Sequence, residues 1–190
     1  MGRDGDLRAT LRQATAEAHA RLDTGWEAHD LTQRSAYVAF LSSMAVALVP
    51  LEATLEAAGV EGVLPDWPVR RRSAALLSDL AGLSAPPIAK TSDPGDCSPG
   101  EIAGILYVLE GSRLGGKVIL RRVLASSSPD IHDNVRFLRH GEGQRLWPAF
   151  ATWLAADASA RADIDGAIAG AHRAFAAFQA AQVAEVLALP

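Results

Sequence analysis

The chain has 190 residues, 49% of them hydrophobic and only 6% aromatic, with 22 acidic side chains against 18 basic ones for a net charge of −4. That length suffices to bury the core of one domain, and an isoelectric point near 5.7 excludes the basic footprint of a nucleic-acid binder. A single cysteine, Cys97, excludes an intramolecular disulfide and suits a reducing compartment. The polar N-terminus lacks a signal-type apolar core, and no uninterrupted apolar run reaches about 18 residues, so a cytoplasmic protein without a membrane span is expected.

Much of the apolar content is alanine and leucine, which favour helix, and few stretches are rich in strand formers. The expectation is an all-α, single-domain helical bundle over 1–190, with residues 1–6 disordered. Leu7, Leu11, Ala14, Ala18 and Leu22 recur every three or four positions and predict a helix over 7–23. Asp30 or Thr32 should cap a second helix over about 33–58, kinked at Pro50 and closed by Gly59. A Gly/Pro-punctuated loop over 59–68 leads to a third helix at about 69–82, and the segment 84–97 reads as a linker.

Ser98-Pro99-Gly100-Glu101 is a helix start with three concordant signals: a Ser cap, Pro at the first helical position and Glu three residues after the cap. The helix it opens should run to about 125, where Ser126-Ser127-Ser128-Pro129 stops it. Another covers about 130–156, with breaks expected at His140–Gly143 and Pro148, and an alanine-rich helix covers about 158–188.

The most informative chemistry lies in the first of these helices. On one helix, His19 has Arg12 two turns before it and Asp23 one turn after it, on nearly the same face. A metal-ligating imidazole needs a partner for its second ring nitrogen, and a carboxylate one turn away supplies it. A metal-containing ligand that also carries carboxylates needs a nearby cation, and Arg12 is placed for that. Imidazole, orienting acid and anion clamp together suggest heme held by a single histidine.

Gly104, Gly111 and Gly115 would form a bare stripe on the helix after Ser98, with Gly116 beside it. Each glycine inside a helix costs about 0.5–1 kcal/mol relative to alanine. The stripe therefore needs a compensating role, either close approach of a flat ligand or close helix–helix packing. Gly111-Ser112-Arg113-Leu114-Gly115-Gly116-Lys117-Val118 almost fits a phosphate-binding loop, but Val118 stands where a hydroxyl should hold magnesium, and the cap at Ser98 argues for helix instead.

The remaining candidates are weaker. His29, His132, His140 and His172 lie among polar residues or near expected breaks and read as solvated. No His-x-x-x-His or Glu-x-x-His pair supports a di-iron bundle site. Arg70-Arg71-Arg72 reads as a solvated helix start, with docking of an acidic electron donor as the alternative. Trp26, Trp67, Trp147, Trp153, Phe150, Phe175 and Phe178 are core candidates, of which Phe175 and Phe178 could also face a pocket.

Taken together, Leu11-Arg12-x-Ala14-Thr15-x-Glu17-x-His19 resembles the proximal helix of heme oxygenases, and Gly111-Ser112-Arg113-Leu114-Gly115-Gly116 resembles their glycine-rich distal helix. The stretch 107–116 most resembles the bacterial branch paired with bacteriophytochromes, and the likeness covers about residues 7–180. The resemblance implies a heme oxygenase-like bundle that opens heme to biliverdin, carbon monoxide and iron, with heme as both substrate and cofactor. It also implies O₂ and an external electron donor (a ferredoxin, flavodoxin or reductase).

By position, His19 would be the proximal iron ligand, Asp23 the partner of its ring, Arg12 a propionate partner, and Gly111, Gly115 and Gly116 the distal contacts. Phe175 would line the pocket from the last helix. Ser112 stands where well-studied members carry an Asp that organises water near the bound gas, and it is the catalytic candidate together with Gly111 and Gly115. Arg139, Arg145 and Arg173 are candidates for the second propionate. The alternatives are a non-catalytic heme carrier of the same fold, a thiaminase-like member that would need a nucleophilic Cys97, and a phosphate-loop nucleotidase.

Overall fold

The computed structural model describes residues 6–87 and 96–187. Residues 1–5 and most of the expected linker over 84–97 lie outside them. Ten α-helices and two 3₁₀ turns make up the described elements, with no strand among the described residues. The all-α expectation holds, and the phosphate-loop reading falls because Gly111–Val118 is helical and no strand precedes it.

The predicted first helix is two helices, α1 (Leu7–Ala14) and α2 (Ala16–Glu27). The division falls at Thr15, which is buried and donates its hydroxyl to the Leu11 carbonyl at 2.8 Å. A threonine that bonds back one turn competes with the regular ladder and bends the chain there. Asp6 accepts from the Arg8 amide and caps α1.

α3 (Arg34–Ala57) continues past Pro50 and ends before Gly59, which takes a left-handed φ of 74°. Neither expected cap closes its start: Asp30 accepts instead from the Thr32 amide, at 3.0 Å, and from the Gln33 side chain. By length and apolarity α3 could cross a membrane, since an 18-residue window reaches a mean hydropathy of 1.8. Its buried residues, among them Tyr37, Phe40, Leu41, Leu48 and Leu55, mark it as a core helix of the bundle.

The 3₁₀ turns Val60–Gly62 and Trp67–Val69 lead to α4 (Ser73–Gly82), which starts four residues later than expected. The predicted third helix began at the arginine run, but Glu52 of α3 takes over the start of α4. Its carboxylate accepts from the amides of Arg72 and Ser73 at 2.7 and 3.0 Å.

α5 (Pro99–Val123) opens on the predicted capping box, with Ser98 and Glu101 reciprocally bonded. The segment expected to hold one helix over 130–156 contains three, α6 (Pro129–His132), α7 (Arg136–Arg139) and α8 (Leu146–Ala156). Gly141 and Gly143, both with positive φ, form the break expected at His140–Gly143. The last segment divides at Asp163 into α9 (Ala158–Ala162) and α10 (Ile164–Leu187). The Asp163 carboxylate accepts from Ser98 Oγ and from the amides of Gly100 and Gly166, so one side chain joins the starts of α5 and α10.

The pair α5–α10 is the most extensive helix contact, and α10 also packs on α3 and α2. Close approach of α5 and α10 depends on glycine. A Cβ on Gly104 would overlap the Ala167 carbonyl, and one on Gly170 would overlap the backbone of Glu101.

Candidate functional site

α2 carries the predicted ligand outward. His19 is 65% exposed and its Nδ1 lies 3.0 Å from the Asp23 carboxylate, itself 62% exposed, one turn further along. A carboxylate beside Nδ1 accepts the proton carried there, and in the neutral ring of that tautomer Nε2 has the lone pair an imidazole needs to ligate a metal. On its other side the ring meets Phe175 of α10 edge-on, with centroids 6.0 Å apart. Phe175 and Phe178 are both buried in the core, and Phe175 is the one whose ring reaches His19.

Arg12 is exposed on α1, and the break at Thr15 places it on a different helix from His19. Its charge and that of Arg8 reach Tyr107 of α5, whose phenol is raised by burial against the lowering effect of both arginines. Two exposed cations on α1 thus act electrostatically on the side of α5 that carries Tyr107, a charge balance that suits an anionic ligand edge.

Along α5 the glycines part company. Gly104 is consumed by the seam with α10, whereas Gly115 has nothing within 4 Å of where a Cβ would stand. Gly111 meets only the Trp147 ring at 3.7 Å, and Gly116 only Leu138 at 3.9 Å. Leu114 and Val118, one turn apart on this same stretch, are exposed apolar side chains. Helix, bare backbone and uncovered aliphatics are the features a flat apolar ligand needs from one wall.

Ser112 is not a free hydroxyl. It donates to the Leu109 carbonyl at 2.7 Å and accepts from Arg72 Nη2 at 2.9 Å. One lone pair remains, so Ser112 can accept a hydrogen bond from a water and has no proton of its own left to donate.

Sequence reasoning missed the structure behind Ser112. Arg70 and Arg72 are not solvated: they are 1% and 4% exposed, and only Arg71 faces water. Arg70 bonds Glu110 at 2.6 Å and Asp66 at 2.7 Å, and Glu110, also 1% exposed, holds Arg113 at 2.9 Å. Arg72 donates to the Leu109 carbonyl and lies 5.2 Å over the Phe137 ring. Burial, with Arg113 nearby, lowers its guanidinium to about 10. His140, expected to be solvated, is half-buried with Nδ1 3.1 Å from Arg113. Burial, then the charges of Arg113 and Arg72, pull its imidazole down to about 4. The available signal was Glu110 itself, an acid ending the apolar run Ile102–Leu109, since a buried carboxylate calls for a cation.

Other candidates fall as follows. His132 and His172 are exposed, as read, whereas the His29 Nδ1 is buried without a partner. Arg139 pairs with Glu142, Arg145 is exposed and Arg173 reaches the Cys97 sulfur, so the structure does not bring the three together at one site. No group of three or more His, Cys, Asp or Glu residues could hold a metal ion among the described residues.

The heme oxygenase family model matches residues 5–183. The chain belongs to the heme oxygenase family. A relative from Xanthomonas campestris pv. campestris (strain 8004), named heme oxygenase, is 37% identical over 141 residues, covering 67% of this chain and 82% of the relative. The fold is similar to that of the NO- and CO-bound heme oxygenase from Neisseria meningitidis, with a TM-score of 0.80, 21% identity, and coverage of 94% of this chain and 91% of that one.

Proposed function

We infer that the protein is a heme oxygenase that opens heme oxidatively to biliverdin, carbon monoxide and iron, with O₂ and electrons from a separate donor. Family membership supports the reaction, and the observation that carries the site is His19, exposed and bonded through Nδ1 to Asp23 so that Nε2 is free. A neutral imidazole ligand leaves the reactive chemistry to the heme, and the protein supplies ligation, orientation and control of water.

In this reading His19 holds the iron and Asp23 holds the ring's tautomer and plane. Phe175 supports the ring, and Arg12, with Arg8, neutralises a propionate. Gly111 and Gly115, with Gly116 beside them, give the macrocycle close access to the distal helix. Ser112 accepts from a water on that side, and the Arg72 guanidinium fixes the hydroxyl in that role. The stretch 107–116 supports placement in the bacteriophytochrome-paired branch, the low cysteine content supports a cytoplasmic location, and a ferredoxin, flavodoxin or reductase would serve as donor.

Hemin added to the purified protein should give a Soret band that yields to biliverdin absorption once ascorbate or a ferredoxin system is supplied. A Soret band that persists under those conditions would make the protein a heme carrier. His19→Ala should remove the nitrogenous-ligand spectrum and turnover together, with imidazole in solution restoring part of both. Retention of the wild-type ferric spectrum by this variant would place the ligand elsewhere. Arg12→Glu should weaken hemin binding by about tenfold, since it deletes a charge-assisted bond and adds repulsion; unchanged affinity would make Arg12 an ordinary surface cation.

A further inference from the structure

α2 is weakly held by apolar contact: of its 12 residues only Ala18 and Trp26 are buried. It also has no side-chain cap at its start, because Thr15 spends its hydroxyl on Leu11. Trp26, which stacks edge-on against Phe40 and whose carbonyl accepts from Arg122, holds the far end of α2, but around His19 only Ala18 and Leu22 meet the core, and one residue of rotation, about 100°, would swing His19 away from its place. Two hydrogen bonds supply what the apolar contact lacks. Gln179 Nε2 of α10 donates to the Ala18 carbonyl at 3.0 Å, and Gln182 Nε2 donates to the Leu22 carbonyl at 3.1 Å.

The spacing gives these bonds their meaning. Ala18 and Leu22 are one turn apart, and each immediately precedes a site residue, His19 and Asp23. Gln179 and Gln182 lie on the α10 face that also presents Phe175 and Phe178, so the amides and the aromatic wall share one rigid element. A helical carbonyl has a second lone pair beyond the one its own ladder uses, so both bonds form without breaking α2. Gly25 completes the attachment: a Cβ there would overlap the Gln182 amide, so the bare backbone of α2 is what admits the side chain.

We propose that Gln179 and Gln182 are positioning residues that lock the rotation of α2 through two successive carbonyls and thereby set the orientation of the His19 imidazole. The role rests on His19 as the iron ligand. A two-point attachment by neutral donors fixes rotation and axial register together, and it does so at any pH at which the fold stands. Phe175 then meets a ring whose plane is already determined from behind.

The test uses Gln179→Met, Gln182→Met and the double variant, since methionine keeps length and helix propensity and deletes the donor. In the heme-free protein, amide exchange over 16–27 should quicken about fivefold for each bond removed, with α3 unaffected. In the hemin complex reduced to the ferrous state with dithionite, the iron–histidine stretching band should shift or split, because the ring samples more than one orientation. Gly25→Ala, which displaces the Gln182 amide, should reproduce the Gln182→Met result. An unchanged iron–histidine band in the double variant overturns the proposal, whether or not α2 exchanges faster, because the amides would then only add stability. Should the double variant fail to fold, Gln179→Met, at the more accessible of the two sites, carries the same measurement. If His19→Ala keeps the wild-type spectrum, the ligand assignment fails first, and that result is read without any glutamine variant.

Discussion

The two halves of α5 use the same residue type for opposite ends. In the first half, Gly100 and Gly104 are bare because α10 is there: their missing Cβ positions are filled by Asp163 and by the backbone of Ala167 and Ala171. In the second half, Gly115 is bare over open space and Gly111 touches only the rim of Trp147. The first half is a packing seam, and the second is left bare, as the binding wall proposed above requires. Glu110 stands between them, and with Ser112 and Arg113 just beyond it anchors α5 to the segment carrying Arg70 and Arg72. The lesson is that a glycine stripe is not one feature, and that its meaning changes where a buried charge interrupts it.

Overfilling the seam is the severest way to break this division. Gly104→Leu would drive a side chain into the Ala167 carbonyl, where backbone rather than a flexible tip must yield. Overpacking of that kind costs more than the usual 1–3 kcal/mol, and about 5 kcal/mol is expected here, enough to unfold a marginally stable domain. Urea denaturation of the heme-free variant measures it, and a midpoint near wild type would show that the seam is not tight.

The joint comes next. Glu110→Gln keeps the shape but strips Arg70 and Arg113 of their shared anion, leaving buried guanidinium groups under-compensated. Removing one partner of a buried ion pair costs about 3 kcal/mol or more. Hemin affinity should fall along with stability, because the wall at Gly111–Gly115 begins one residue beyond Glu110. Loss of stability with unchanged hemin affinity would show that the joint does not support the wall.

What the sequence disclosed and what it hid follow from range. The Ser98–Glu101 box was legible because every bond in it is local, and so was the His19–Asp23 pair, a single helical turn. The break at Thr15 was missed because apolar periodicity passes straight through a threonine whose hydroxyl turns back on its own helix. Arg70 and Arg72 were misread as solvent-facing because Glu110 and Ser112, their partners, lie 40 residues away. His140 was misread for the same reason, since nothing near it in the chain announces Arg113. The glycines could be counted but not sorted, because α10, which separates Gly104 from Gly115 in role, comes some 60 residues later.

A pH series sharpens the account of the joint. The His140 imidazole sits at about 4 in the fold, below the ordinary 6.5, through burial first and then the charges of Arg113 and Arg72. Between those values the unfolded chain binds a proton that the fold does not, so this group's contribution is intact above pH 6.5 and is lost as pH falls toward 4. The ring is only half-buried, so screening reduces the effect to about 1 kcal/mol across the window. His140→Gln should flatten the fall in urea midpoint between pH 7 and 4.5 relative to wild type. Parallel slopes for the two proteins would mean that His140 is solvated after all.

The smallest expected change is the most discriminating. Gly115→Ala adds one methyl to a position with nothing within 4 Å, inside a regular helix. Alanine recovers helix propensity there, so the heme-free protein should gain about 0.5–1 kcal/mol. If that stretch of α5 is the wall on which the macrocycle lies, the same methyl intrudes on it, and hemin should bind more weakly while the empty protein becomes more stable. The two readouts move in opposite directions only when the glycine is kept bare for a ligand. A methyl that raises stability and leaves hemin affinity and the CO-complex spectrum untouched would place the distal contact elsewhere on α5. One that lowers heme-free stability would extend the packing seam past Glu110 and erase the division between the two halves.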